Sequence, residues 1–339
     1  MASEPARRTV AYVAPNDVEI RQRPALEPGA EDVLVRVTAS GVCGTDVDIF
    51  RGATPVAAGR VLGHEGAGVV EVAPATSGLE PGMPVVVDPT LACGACALCL
   101  EGLPNLCPSG GLLGRELDGV FTDEVAMPAS NVHRLPDGIA LGDAPMIQVL
   151  ATIVHAQDRV PIVPARPAVV VGLGCTGQLH AQLLRHRGAR VFGVTRSPSK
   201  LELARRLACD RVAPPDKLID LAAELGDLGG ADLVVEAAGT LDALEIALRL
   251  VRPGGTVLAY GSQTAVEGRL SFYTFYRKEI ALLGSRANLP RDFPTAIALV
   301  SSRAVELGPL VDERFPLDQA ATALERAASG TALKVLMMH

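Results

Sequence analysis

The chain has 339 residues, 48% of them hydrophobic and 20% charged, which supplies ample buried core and excludes a disordered polymer. Net charge is −7 and aromatics are 3% with no tryptophan, so nucleic acid and anionic membrane are not expected partners. No apolar run approaches membrane-spanning length, and the start MASEPARRTVAYVAP lacks a long apolar segment, so the expectation is a soluble cytoplasmic protein with reduced thiols.

A chain this long fits about two domains. The first half carries short β-like runs broken by glycine and proline: VLVRVTASGV (33–42), GAGVVEV (66–72) and MPVVVD (83–88). They predict an irregular β lobe. A cysteine-rich loop follows, ACGACALCLEGLPNLCP, and then a further β-like segment over 120–126. Character changes near residue 150. From Pro167 strands alternate with helices: a buried strand over 168–172, a helix of about ten residues from Gly177, and a strand over 189–194. A helix over 198–208 is next, with Ser197 suited to its N-cap and Pro198 to its first turn. Helix 216–225, strand 231–237, helix 241–251, strand 255–261 and strand 280–285 continue the pattern. Strict alternation predicts a parallel sheet with helices on both faces. A helix over 293–302 follows, and the tail reads helix then strand, able to rejoin the first lobe. The expected division is 1–150 with 290–339, and 151–289.

Cys93, Cys96, Cys99 and Cys107 have the spacing C-x2-C-x2-C-x7-C. Four thiolates this close can enclose a tetrahedral Zn²⁺ with no open position, which is a structural site. An iron–sulfur run also ends in Cys-Pro, but its last gap is shorter and no second cysteine run follows. Disulfides suit neither the reducing setting nor the chain length.

Val169–Val171 lead into Gly172-Leu173-Gly174-Cys175-Thr176-Gly177, a G-x-G-x-x-G turn between strand and helix. Gly172 permits the sharp turn, Gly174 lets backbone approach a pyrophosphate, and Gly177 lets helix pack on strand, with the helix N-terminus facing the phosphates. A carboxylate about 20 residues on would accept the ribose hydroxyls of NAD(H). Here the second strand ends Val194-Thr195-Arg196-Ser197, with Lys200 nearby and no acid at the spot. A hydroxyl and two cations suit a 2′-phosphate, so NADP(H) is expected over NAD(H). The competing possibility is a solvated Arg196 and tolerance of both cofactors.

Cys43 lies in SGVCGTDVDIFRG, and His64-Glu65 in VLGHEGAGVV. A lone cysteine or histidine is usually structural. Beside a dinucleotide turn and a closed zinc site, however, a thiolate, an imidazole and a carboxylate or water make an open Zn²⁺ site able to polarise an oxygen.

The motifs G-V-C-G-T-D (41–46), G-H-E-G-A-G (63–68), the four-cysteine loop, G-L-G-C-T-G and R-P-G-G-T (252–256) together resemble the zinc-dependent medium-chain dehydrogenase/reductase family, in its polyol, sugar and threonine dehydrogenase branch. The resemblance spans essentially the whole chain. It implies a GroES-like catalytic lobe joined to a doubly wound Rossmann domain, two zinc ions per chain, and a homodimer or homotetramer. Cys43 and His64 are implied ligands of the catalytic zinc, and Glu65 a ligand or a neighbour of the ligands. Asp46 is implied to fix the His64 tautomer, Thr45 to take the substrate's hydroxyl proton, and Thr152 to lie near the nicotinamide. Two positions depart from the family. Gln148 stands in PMIQVLAT where a glutamate or cysteine ligand is usual, and an amide is a weaker donor. It can ligate weakly, stand off behind a water, or only line the pocket. Asp48 stands where histidine often relays the proton, and a carboxylate is the poorer acid at neutral pH.

Cys175 and Cys209 read as packing residues, and His155, His180 and His186 lie on predicted helices with no partner evident from the sequence. The implied chemistry is reversible hydride transfer between NADP(H) and the secondary alcohol of a hydroxyl-rich small molecule: a sugar, polyol, cyclitol or amino alcohol. Two alternatives stay open. One is an NADPH-dependent C=C or C=N reductase with an altered zinc site; the other is a non-catalytic cofactor-binding protein.

Overall fold

The computed structural model describes residues 6–226, 228–262 and 268–339. The chain divides into two compact units, one of Met1–Ala151, Leu289–Ser301 and Leu307–His339, the other of Thr152–Asn288 and Ser302–Glu306.

In chain order the first unit opens with the hairpin β1 (Arg7–Ala14) and β2 (Asp17–Arg23), followed by β3 (Asp32–Val42), α1 (Gly44–Phe50), β4 (Glu65–Val72) and β5 (Pro84–Val87). β6 (Thr90–Leu91), α2 (Ala97–Leu100) and β7 (Gly111–Leu112) frame the cysteine loop, β8 (Glu124–Pro128) and β9 (Val132–Arg134) follow, and α3 (Met146–Asp158) carries the chain into the second unit, which begins at Thr152. The second unit contains β10 (Pro167–Val171), α4 (Cys175–His186), β11 (Arg190–Val194), α5 (Pro198–Leu207), β12 (Arg211–Ala213), α6 (Leu218–Ala223), β13 (Ala231–Glu236), α7 (Leu241–Leu250), β14 (Val251–Ala259), α8 (Phe272–Lys278) and β15 (Ala281–Gly284). The chain ends with α9 (Asp292–Ser301), β16 (Glu313–Pro316), α10 (Ala320–Ala328) and β17 (Val335–Met338).

β3 is the axis of the first unit. It pairs antiparallel with β4, β8 and the chain's last strand β17, so the tail does rejoin this lobe. Flanked on both edges, β3 is buried almost throughout, and its valines join Phe121, Met127, Leu324 and Met337 in one apolar core. The second unit is a parallel sheet of order β12-β11-β10-β13-β14-β15 among the described residues. Both faces are covered, and the two-residue period of a strand shows why β10 is wholly apolar. Val169 and Val171 enter the core beneath α7, while Ala168 and Val170 enter the core beneath α4 and α5.

Local departures from the sequence pattern are few. In the segment 120–126 the strand β8 begins only at Glu124; before that, Thr122 bridges Thr9, Val120 and Phe121 donate to Gly63 and Leu62, and Val10 donates to Phe121. The segment 216–225 splits into a 3-10 turn, Pro215–Lys217, and the short α6. Ser197 is the N-cap of α5 by position, but its hydroxyl meets Ser199 rather than the helix backbone. The strand expected over 255–261 starts earlier and stops at Ala259, leaving Tyr260 and Gly261 beyond its carboxyl end. No described helix is long and apolar enough to cross a membrane.

Candidate active site and metal centres

The cysteine loop folds back on itself between β6 and β7. Cys96 caps α2, and Cys107 follows a 3-10 turn at Pro104–Leu106. The four sulfurs converge: Cys96–Cys99 is 3.5 Å, Cys93–Cys107 3.5 Å, Cys96–Cys107 3.8 Å and Cys93–Cys99 4.0 Å. Disulfide sulfurs sit at about 2.05 Å. Ligands on a tetrahedral zinc with bonds of about 2.3 Å are separated by about 3.8 Å. The donor set fits a closed zinc site in both chemistry and spacing. Backbone N–H groups of Ala95 and Cys96 pull the Cys93 thiol down to about 6, favouring the thiolate that a metal takes.

A second group forms where β3 ends and β4 begins. Cys43 is the N-cap of α1, His64 immediately precedes β4, and Glu65 is its first residue. One ligand atom from each of Cys43, His64 and Glu65 lies within 4.8 Å of the others. His64 and Glu65 are buried. Pairing of Gly41 with Glu65 across β3 and β4 sets this register. A soft thiolate with an imidazole, open to further donors, fits zinc.

Asp46, wholly buried in α1, has two tasks. Its Oδ2 accepts from the Cys43 N–H at 2.8 Å, tying down the N-cap. Its Oδ1, with no hydrogen-bond partner closer, faces His64 Nδ1 at 3.4 Å. That leaves Nε2 as the ring's other donor atom. Burial pulls the His64 imidazole down, but Asp46 and Cys43 outweigh it and hold the ring well above its ordinary value.

Glu65 has a partner that sequence reasoning missed. Lys334 Nζ, from the segment entering β17, donates to Glu65 Oε1 at 2.6 Å and to the Val42 carbonyl at 2.9 Å, and both side chains are buried. The signal was a lone lysine inside the apolar run ALKVLMM. Gln148 is buried in the first turn of α3. Thr45 and Asp48 lie partly exposed on α1, and the Asp48 carbonyl accepts from Ala53 and Thr54.

In the second unit, Gly172 has φ +93° and turns the chain out of β10, where a Cβ would lie 2.7 Å from the Ala238 nitrogen. A Cβ on Gly177 would meet the Gly172 carbonyl oxygen at 1.8 Å, so only glycine lets α4 start here. A Cβ on Gly174 would meet nothing within 4 Å among the described residues beyond its own chain neighbours. That glycine is not demanded by packing, and the open space at it leaves its backbone approachable, as the sequence pattern leads one to expect for a pyrophosphate turn. Cys175 and Thr176 open α4 behind it, partly exposed. Past β11, Thr195 is partly exposed and Arg196 exposed; Arg196 and Lys200 have no ion-pair partner among the described residues. Thr152 on α3 is hydrogen-bonded to Tyr260, 2.7 Å between hydroxyls, a second partner not foreseen. His180 on α4 bonds Gln157 and packs edge-on to the Tyr260 ring, so it has partners too.

Residues 29–137 match the alcohol dehydrogenase GroES-like domain, and residues 175–302 the zinc-binding dehydrogenase domain. The chain is 32% identical to sorbitol dehydrogenase of Halalkalibacterium halodurans over 94% of both chains. It is 32% identical to L-galactonate-5-dehydrogenase of Escherichia coli over 92% of both. Among solved structures it resembles a zinc-binding dehydrogenase from Sinorhizobium meliloti bound to NADP, with TM-score 0.92 and 29% identity over 99% of this chain and 100% of that one. It also resembles an alcohol dehydrogenase from Thermus sp. ATN1, with TM-score 0.89 and 29% identity over 98% and 99%. With both domain types matched in order and relatives aligned along nearly its whole length, the chain belongs to the zinc-dependent medium-chain dehydrogenase/reductase family.

Proposed function

We propose that this oxidoreductase interconverts the secondary alcohol and ketone of a hydroxyl-rich small molecule (a sugar, polyol, cyclitol or amino alcohol) with NADP(H) as hydride carrier. The observation that carries this reading is the gathering of Cys43, His64 and Glu65 at one point, in a chain that also has the dinucleotide turn. The relatives named for sorbitol and galactonate oxidation support the substrate class.

When bound, zinc would make a substrate hydroxyl more acidic, and the nicotinamide would accept or return hydride. The protein's own residues do the rest. Cys43 and His64 hold the metal, Asp46 orients the imidazole, and Gln148 contributes a neutral amide, directly or through water. Thr45 receives the hydroxyl proton and Asp48 passes it on. Cys93, Cys96, Cys99 and Cys107 hold a second, structural zinc. Gly172, Gly174, Cys175, Thr176 and Gly177 seat the pyrophosphate, while Thr195, Arg196 and Lys200 receive the 2′-phosphate, an assignment supported by the two unpaired cations. The fit with an NADP-bound solved relative points the same way.

A homo-oligomer completes the reading, with a dimer or tetramer of this chain in a reducing, cytoplasmic setting. β15 is an edge strand of exposed apolar residues, and Phe272, Tyr273 and Tyr276 of α8 are exposed nearby in sequence. Unprotected edges of this kind invite a partner.

The second reading, an NADPH-dependent C=C or C=N reductase, is favoured by one observation: Lys334 engages Glu65, and a neutral Gln148 replaces a charged ligand, which leaves a donor-poor metal site. The deciding experiment is metal content of unstripped protein together with turnover of a polyol, sugar and enone panel. Two zinc ions per chain and metal-dependent polyol oxidation with NADP⁺ support the first reading. One ion confined to the cysteine loop overturns it.

A further inference from the structure

The parallel sheet places its switch point between β10 and β13, where neighbouring strands lead off in opposite directions. Dinucleotides lie across the carboxyl ends of strands at such a point. Arg196 stands just past β11, so the adenosine half belongs on the β11 side. The other half, carrying nicotinamide, then belongs over the ends of β13 and β14.

Tyr260 is the first residue beyond β14. Its N–H, like that of Gly261, donates to the Glu236 carbonyl at the end of β13, 2.9 Å in each case. The Glu236 carboxylate accepts from the Ala238 and Gly239 N–H groups at 2.7 Å each. Ala238 in turn supports the Gly172 turn, which has no room there for a side chain. The Ala237 N–H also donates to the Val171 carbonyl at 2.8 Å, so the first residues past β10, β13 and β14 form one joined rim. On that rim the Tyr260 side chain is held from two directions. Its hydroxyl is 2.7 Å from Thr152 Oγ1, and its ring meets the edge of His180 at 4.5 Å between centroids. His180 is itself fixed by Gln157, which donates to its backbone carbonyl at 3.0 Å and lies 3.2 Å from Nδ1. Burial pushes the His180 imidazole down to about 3, so it packs against Tyr260 as a neutral ring. His180 also lies on α4, the helix that begins at the phosphate turn. Tyr260 is partly exposed, and so is Thr152.

We propose that Tyr260, locked to Thr152, is a contact residue for the nicotinamide half of the cofactor and sets the position of its ring. This rests on the dinucleotide reading given above. A phenol held in one rotamer by a hydroxyl and a neutral imidazole presents a fixed surface at low entropic cost, unlike a mobile side chain that must be ordered on binding.

The test compares ligands that differ only in nicotinamide. Affinities of the full chain, Y260F and T152V are measured for NADPH and for 2′-phospho-ADP-ribose by calorimetry, with melting of each ligand-free protein. NADPH fluorescence is read alongside. If NADH proves the tighter ligand, the pair becomes NADH and ADP-ribose. Y260F is expected to weaken the dinucleotide roughly 3- to 10-fold, as for loss of one hydrogen bond. It should shift the bound NADPH emission and leave the nicotinamide-free ligand unchanged. T152V should do the same, and the double variant should lose less than the sum of the two. Unchanged affinity for both ligands, or an equal loss for both, overturns the proposal. Binding of neither dinucleotide by the unsubstituted chain overturns the cofactor reading itself.

Discussion

Lys334 and Glu65, 269 residues apart, form a buried ion pair at 2.6 Å directly beside Cys43 and His64. The pair is housed by a missing side chain: a Cβ on Gly41 would lie 2.1 Å from Glu65 Oε2 and 3.0 Å from Lys334 Cε. Lys334 thereby engages one member of the Cys43, His64 and Glu65 cluster.

Replacing one member of this pair strands a charge. K334M is expected to destabilise the first unit by about 3–5 kcal/mol, the usual cost of an unpaired buried charge. K334M combined with E65Q should recover a large part of that loss. Urea unfolding of the two single variants and the double variant checks this, and additive losses would show that the pair is not coupled.

The two metal groups are expected to lose metal independently. C96S should lower bound zinc from two ions per chain to one and reduce the melting temperature. C43S should also leave one ion but spare stability while abolishing alcohol oxidation. Elemental analysis with thermal melting separates the two, since stripping both ions with either substitution would mean one shared site.

Cofactor choice should follow Arg196. R196E is expected to lower kcat/KM for NADP⁺ by roughly 10- to 100-fold, the worth of charge-assisted hydrogen bonds to a phosphate. Efficiency with NAD⁺ should hold or improve. Parallel steady-state kinetics with both cofactors decides it, and an equal fall for both would remove Arg196 from the site.

His180, buried, and His133, partly buried, make the fold acid-sensitive. Burial lowers His133 to about 4 and His180 to about 3. Between these values and the ordinary value near 6.5, the unfolded chain binds protons that the folded chain refuses. Their contribution is therefore intact above about pH 6.5 and is lost as pH falls toward 4, at up to roughly 1.4 kcal/mol per pH unit for each ring. His133 stacks on Phe293 at 4.6 Å, so H133F keeps the packing and removes the titration. Urea midpoints at pH 7.5 and 5.0 should converge in H133F relative to the parent; an unchanged gap would exclude His133 as a source.

If Asp48 passes on the proton from Thr45, D48N should lower turnover on the order of tenfold with KM little changed, and D48E should restore it. Pre-steady-state traces in ordinary and heavy water check this, and D48N kinetics equal to the parent would remove Asp48 from the relay.

Periodicity and spacing alone carried much of this molecule. The apolar run over Val169–Val171, the glycine turn after it and the βα alternation required a doubly covered parallel sheet, because such strands have no polar face to show to water. The spacing of Cys93, Cys96, Cys99 and Cys107 likewise required one compact loop, because a chain can close a turn over two residues without help from elsewhere. Contacts made at long range were decided only by the tertiary structure. Lys334 reaches Glu65 because β17 pairs with β3, and Tyr260, just past β14, meets Thr152 across 108 residues within the second unit. Neither partner is marked by its own neighbours in the chain. Short-range geometry is encoded in local spacing, whereas the partner of a buried charge or hydroxyl is chosen by whichever strand and helix the packed core brings to it.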